Sequence, residues 1–111
     1  MSKKMVSVAL RHFDGAPGFY RCEVPALGWS TIGGYRFAVT KAFGISGFVL
    51  TDPQTGMNCG VHGSTKPEAI ATTKKWIASR AKSRKRSVPR EIRAAIRAAK
   101  KLLKEAANGG K

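Results

Sequence analysis

The stretch GVHGSTKPEAIATTKKWI, residues 60–77, marks the point at which the chain changes from strand to helix. Thr65 is a typical helix N-cap, and Glu68 three residues later gives the spacing of a capping box. Pro67 falls in the first helical turn, where its missing N–H costs no hydrogen bond. These signals predict a helix over 66–82 with an apolar stripe that packs on a sheet. The stripe comprises Ala69, Ile70, Thr73, Trp76 and Ile77.

The residues before this helix alternate between apolar and polar side chains, as strands do. Residues 5–24 predict a β-hairpin around the turn cluster DGAPG (14–18), and residues 25–34 predict a glycine-rich loop. In that loop, Trp29 either folds back over the core or stacks on a nucleic-acid base. Residues 35–62 predict a three-stranded antiparallel meander with turns at GISG and DPQTG.

The two faces of the predicted meander differ in character. Tyr35, Phe37, Val39 and Phe43 form one apolar face. The opposite face is small and polar, so it either approaches a nucleic-acid groove or a partner, or is covered by the hairpin or by the second helix. That face comprises Arg36, Ala38, Thr40, Val49, Thr51, Asn58, Gly60 and His62.

The C-terminal part predicts a second helix after a basic linker, AKSRKRS (81–87). Ser87 and Pro89 mark the start of a helix over 88–107, and Gly109 is its expected stop. The helix carries a seam at coiled-coil spacing, which either docks on the sheet or pairs with another copy of the chain. The seam comprises Ile92, Ile96, Ala99, Leu103 and Ala106.

Together these elements predict an α+β protein. Residues 1–82 form an α+β domain, in which one helix packs on an antiparallel sheet made of the hairpin and the meander. Residues 83–111 form a basic linker and an amphipathic C-terminal helix.

Positive charge is concentrated in the second half of the chain. The 111 residues hold 21 Lys and Arg against six Asp and Glu, for a formal charge of +15. Residues 1–62 hold six basic and three acidic side chains, whereas residues 63–111 hold 15 basic and three acidic ones. Such an excess indicates a polyanionic partner, and DNA and RNA both fit.

Long cationic side chains at helical spacing can follow a phosphate backbone, which gives affinity without reading sequence. The alternative is that these cationic side chains form a solvated helix face with no binding role. A membrane is not expected as a partner, because the apolar face of the last helix is mostly alanine and lacks an aromatic residue. The predicted nucleic-acid-binding residues are Lys66, Lys74, Lys75, Arg80, Lys82, Arg84, Lys85, Arg86, Arg90, Arg93, Arg97, Lys100, Lys101 and Lys104.

Residues that could carry catalysis or bind a metal are scattered. His12 and His62 belong to no motif, and Cys22 and Cys59 lack metal-ligand spacing and are expected to be buried free thiols. GISG lacks the lysine and the following helix of a phosphate loop. We therefore expect no enzyme activity, no catalytic or metal site and no cofactor. The N-terminus does not resemble a signal peptide, and we expect a cytoplasmic protein.

The order of three strands followed by GVHGSTKPEA and a helix, over residues 35–80, resembles the C-terminal part of double-stranded-RNA-binding domains. The resemblance implies phosphate contacts at the helix start, from Ser64, Thr65, Lys66 and Lys74. That family's first helix has no counterpart here, and its lysine pair is reduced to Lys66. The layout is also similar to the sheet-plus-helix DNA-binding domains of tyrosine integrases and plant ethylene-response factors, and to small antitoxin domains that bind proteins.

The sequence thus predicts a small basic nucleic-acid-binding protein that contacts the phosphate backbone. Its size and dense basic tail would suit an accessory protein of a phage or mobile element, acting in the host cytoplasm. The alternative is a protein-binding effector or inhibitor, whose basic surface engages an acidic or nucleic-acid-binding groove of a host protein. A homodimer through the C-terminal helix is a further expectation.

Overall fold

The computed structural model describes residues 4–11, 18–42 and 46–107. In these residues, six strands precede two helices, and the predicted α+β class is confirmed. The elements are β1 (Met5–Arg11), β2 (Phe19–Pro25), β3 (Gly28–Ile32), β4 (Tyr35–Lys41), β5 (Phe48–Thr51), β6 (Asn58–Gly63), α1 (Lys66–Ser83) and α2 (Val88–Ala107).

The predicted hairpin forms a two-stranded sheet of its own, in which β1 pairs antiparallel with β2. The remaining strands form a four-stranded antiparallel sheet in the order β3-β4-β5-β6. Residues 14–17 of the predicted turn at 14–18, His12, Phe43 and the predicted stop at Gly109 lie outside the described residues.

The loop predicted over residues 25–34 is wrong, because Gly28–Ile32 is a strand that pairs antiparallel with β4. Gly33 and Gly34 join the two strands with φ values of 57° and 81°. Two successive positive φ values are typical of the tight turn of a two-residue β-hairpin. The glycine pair is therefore a turn signal, and it adds a fourth strand to the meander.

One face of the four-stranded sheet packs on both helices. Phe37, Val39 and Leu50 of the sheet meet Ile77 of α1 and Ile92 of α2 in the core. The start of α1 follows the predicted cap, since the Glu68 N–H donates to Thr65 Oγ1 at 3.2 Å. The stripe of α1 differs from the prediction at one end: Trp76 is 38% exposed, and Ala81 is buried instead.

The centre of the second face of the sheet is covered, whereas Arg36, Asn58 and His62 of the same face are exposed. Ala38, Thr40 and Thr51 are at most 1% exposed, and the two threonine hydroxyls lie 3.0 Å apart. The β1–β2 hairpin lies against this region: the Ala9 N–H donates to the Gly56 carbonyl at 2.9 Å, and Val6 and Val8 are buried. The alternative in which the hairpin covers the face is the one that the structure supports.

The turn after β5 is built around Asp52, which is 5% exposed. Its carboxylate accepts hydrogen bonds from the Tyr35 hydroxyl, the Gln54 N–H and the Thr55 hydroxyl. Burial, reinforced by the hydrogen bond to Asp52, raises the pKa of the Tyr35 phenol above its ordinary value, so the phenol stays protonated as a donor. The predicted turn role of Asp52 is confirmed.

The helical part follows the predicted bounds closely. α1 extends to Ser83, so the linker shortens to residues 84–87, and α2 begins after Ser87 as predicted. In the described part of the chain, neither helix has the length and apolar character needed to cross a membrane.

Candidate nucleic-acid interface

A buried carboxylate organises the turn between the two helices. Glu91, in the first turns of α2, is 3% exposed. Arg80 Nε and Arg84 Nη1 each lie 3.4 Å from Glu91 Oε2, and Arg86 Nε lies 3.5 Å from Glu91 Oε1. The carboxylate therefore ties the end of α1 and the linker to α2. We refer to these four residues as the Glu91 cluster.

Three of the predicted nucleic-acid-binding residues belong to the Glu91 cluster. Arg80, Arg84 and Arg86 already face an anion within the protein, and Arg80 also stacks over the Trp76 ring at 4.9 Å. Oε1 of Glu91 has the ion pair with Arg86 but no hydrogen bond within the described residues. The sequence signal for this cluster was the isolation of Glu91, which is the single acid between Glu68 and Glu105.

Backbone hydrogen bonds define the conformation of the turn between the helices. The Arg86 N–H donates to the Ala81 carbonyl at 2.9 Å, and the Lys85 N–H donates to the Lys82 carbonyl at 3.1 Å. This pair of bonds is the Schellman motif, which places a residue in the left-handed region, usually glycine. Here that residue is Lys85, with a φ of 53°. Ser87 Oγ then accepts the Arg90 N–H at 3.3 Å and caps α2.

The turn and the first half of α2 form an open depression lined almost entirely by cations, which we call the basic depression. Ala94 is its one uncharged lining residue. Among the described residues, no acidic side chain lines it. The cationic lining residues are Arg84, Lys85, Arg86, Arg90, Arg93 and Arg97.

The outer side of α2 continues this charge as a cationic stripe. At 3.6 residues per turn, its six residues fall within a sector of about 100°, away from the apolar seam, and span about 21 Å along the axis. All six are exposed. They are Arg90, Arg93, Arg97, Lys100, Lys101 and Lys104. Because three of them also line the basic depression, the depression and the stripe form one continuous surface, the basic face.

The other predicted residues lie elsewhere. Lys66 is at the opposite end of α1, about 25 Å from the turn by helical rise, and its Nζ donates to the Leu27 carbonyl at 3.2 Å. Lys74, Lys75 and Lys82 are exposed on α1, and helical periodicity directs Lys75 and Lys82 away from the Arg80 side. The structure thus divides the predicted surface into the basic face and a separate lysine face on α1.

A second cationic group, which the sequence did not predict, surrounds Trp29 on the edge strand β3. Lys4 Nζ lies 5.1 Å and Arg36 Cζ lies 4.5 Å from the centre of the indole ring. Both contacts have cation–π geometry. Two cations of the protein already contact the indole ring, so we give this group no primary role.

No family model, curated protein or solved structure matches this chain significantly. The resemblance to double-stranded-RNA-binding and integrase domains therefore stays a prediction, and Thr65, one of the residues it implied, caps α1. Within the described ranges, no group of three or more His, Cys, Asp and Glu could hold a metal ion. Cys22 is a free thiol but only half-buried, so the expectation that it is buried is wrong, and the Cys59 side chain lies outside the described part. The basic face is the feature that points to a function.

Proposed function

We propose that the basic face of the protein binds the phosphate backbone of nucleic acid. The observation that carries the proposal is the imbalance of this surface: its cations are exposed on α2, whereas the nearby acid, Glu91, is buried and already paired. Exposed Lys and Arg that neutralise phosphates release condensed counterions, which gives binding that depends steeply on salt.

The expected binding mode is recognition of backbone charge and shape. Phosphate contacts fix position but carry no sequence information. The centre of the second sheet face is closed to bases, because Ala38, Thr40 and Thr51 are buried. A helix of 20 residues with cations along one sector can instead follow a strand or a groove edge. Both DNA and RNA duplexes fit this mode.

The test compares two charge-matched quadruple variants. Substitution of Arg93, Arg97, Lys100 and Lys104 by Gln removes four cations of the basic face. Substitution of Lys41, Lys74, Lys75 and Lys82, which are also exposed, removes four cations outside it. Duplex DNA and RNA binding is measured from low to physiological salt. We expect the first variant to flatten the slope of log K against log salt by about 3 to 4, since each lost phosphate contact removes about 0.9.

The control variant should keep a slope close to that of the wild type. Equal losses in the two variants would mean that net charge, and not the basic face, drives binding. An absence of binding by the wild-type chain at low salt would overturn the proposal.

A second candidate function, binding of an acidic protein, is favoured by an apolar groove between α1, α2 and the turn after β5. The groove encloses about 150 Å³. Its walls include Phe37, Met57, Ile96 and Ala99, and Trp76 is 38% exposed beside it. Leu102, farther along α2, is 37% exposed. Asp52, Arg80 and Glu91 are the charged residues of the lining, and the exposed cations of α2 lie outside the groove. An occupant with an apolar ridge and with acidic flanks that reach those outer cations would be complementary.

A pull-down from nuclease-treated lysate separates the two candidates. A defined acidic partner that stays bound after nuclease and is released by Leu102→Glu and Ile96→Asp supports the second candidate. Partners that leave on nuclease treatment, and that are insensitive to Leu102→Glu, support nucleic-acid binding alone. Size-exclusion chromatography of Ile96→Asp verifies that the chain still folds.

A further inference from the structure

The basic depression holds more positive charge than its surroundings balance. Six cationic side chains line it, and Glu91, the one acid ion-paired with them among the described residues, carries a single charge that it shares with Arg80 as well. Cations held this close repel one another, and water screens that repulsion only in part within a concave surface. A bound anion would reduce this repulsion among the cations.

Contacts within the protein also hold part of the lining of the depression in place. Arg84 and Arg86 are held by the buried carboxylate of Glu91, so their side chains lose less freedom when a ligand binds. Lys85 occupies a left-handed position where glycine is the usual residue. A lysine at this position costs conformational free energy, and the residue it adds is one more cation of the lining.

The shape and charge density select the ligand. A single phosphodiester carries one negative charge, and a helical backbone presents such charges along a line. The cationic stripe fits that pattern, whereas a concave group of five arginines and one lysine fits several negative charges on neighbouring phosphorus atoms. Guanidinium groups bind phosphate oxygens in a forked geometry, which makes arginine suited to such a ligand.

We infer that the basic depression is a binding site for a compact polyphosphate group. Two sources share this chemistry: the terminal triphosphate of a nucleic-acid strand, and free inorganic polyphosphate. Only the first of these rests on the proposed function. In that case the depression would hold the strand end, while the cationic stripe follows the backbone.

The test uses inorganic tripolyphosphate and the full chain in isothermal titration calorimetry at physiological salt. We expect one tripolyphosphate per chain, bound at least about tenfold more tightly than orthophosphate, because more charge-assisted hydrogen bonds form in the same site. Replacing Arg90, Arg93 and Arg97 by Gln should weaken tripolyphosphate binding about a hundredfold. These residues are exposed, and thermal melting verifies that the variant folds.

The matched control replaces Lys100, Lys101 and Lys104 by Gln, which removes the same charge from the same helix outside the depression. Tripolyphosphate affinity should then change less than about threefold, as expected for distant and screened charges. Equal weakening in the two triple variants, equal binding of orthophosphate, or more than one tripolyphosphate per chain would overturn the inference.

Two oligonucleotides of one sequence distinguish the sources. Tighter binding of a strand with a 5′-triphosphate than of one with a 5′-hydroxyl supports the strand end as the ligand. Equal binding of the two strands, with tripolyphosphate still bound in the depression, supports free polyphosphate. A duplex without terminal phosphates tests the proposed function separately, since it has a phosphate backbone but no compact polyphosphate group.

Discussion

Glu91 holds three arginine side chains with one buried carboxylate, and those side chains come from both ends of the α1–α2 turn. The sequence shows the charge of Glu91 but not its burial, because burial depends on how the turn folds back. Arg80, Arg84 and Arg86 look alike in sequence to Arg93 and Arg97. Only the structure separates the arginines that are anchored from those that are not near an acid.

Substitution of Glu91 by Gln should destabilise the fold by about 1–2 kcal/mol. Removing one partner of a fully buried ion pair costs about 3–5 kcal/mol, but Arg80 and Arg84 are 39% and 46% exposed and regain water, which lowers the cost. The melting temperature reports the change. Glu105→Gln, an exposed acid on the same helix with the same charge change, is the control. Identical melting of the two variants would show that the Glu91 cluster adds no stability.

Among the secondary-structure elements, the helices were predicted well because their signals are local. Thr65 and Ser87 cap the helices they were expected to cap. β3 was missed because a five-residue edge strand bounded by glycines has the composition of a loop. The burial of the second sheet face could not be predicted, since it depends on where the hairpin packs. The split of the basic residues into two surfaces has the same origin, because it depends on the angle at the turn.

The turn between the helices gives a prediction about Lys85. Lys85→Gly should stabilise the fold by about 0.5–1 kcal/mol, because glycine takes a positive φ without a steric penalty. Lys85→Ala removes the same charge but keeps the β-carbon, and it should be less stable than Lys85→Gly by about 1 kcal/mol. Urea denaturation midpoints measure both. If alanine matched glycine, the left-handed geometry of the turn would be wrong.

At the scale of the whole molecule, the hydrophobic core and the positive charge lie largely in different parts of the chain. The strands and the face of α1 that packs on them supply most of the core, whereas α2 adds Ile92 to that core and presents its cations outward. The charge counts predicted an electrostatic surface within residues 63–111, since net charge needs no knowledge of the fold, but they did not separate α1 from α2. A formal charge of +15 on 111 residues also means that the folded state brings like charges together.

Stability should therefore rise with ionic strength before it levels off. Salt shortens the Debye length from about 30 Å at 0.01 M to about 10 Å at 0.1 M, which screens the repulsion among cations of the basic face. The ion pairs of Glu91 lie at 3.4–3.5 Å and are partly buried, so the same salt weakens them less. The melting temperature in sodium chloride, from about 0.01 to 0.15 M, measures the balance. The Lys100, Lys101 and Lys104 triple Gln variant should melt higher than the wild type at low salt and gain less from added salt. A melting temperature that falls with salt in the wild type would mean that local ion pairs outweigh the repulsion of the basic face.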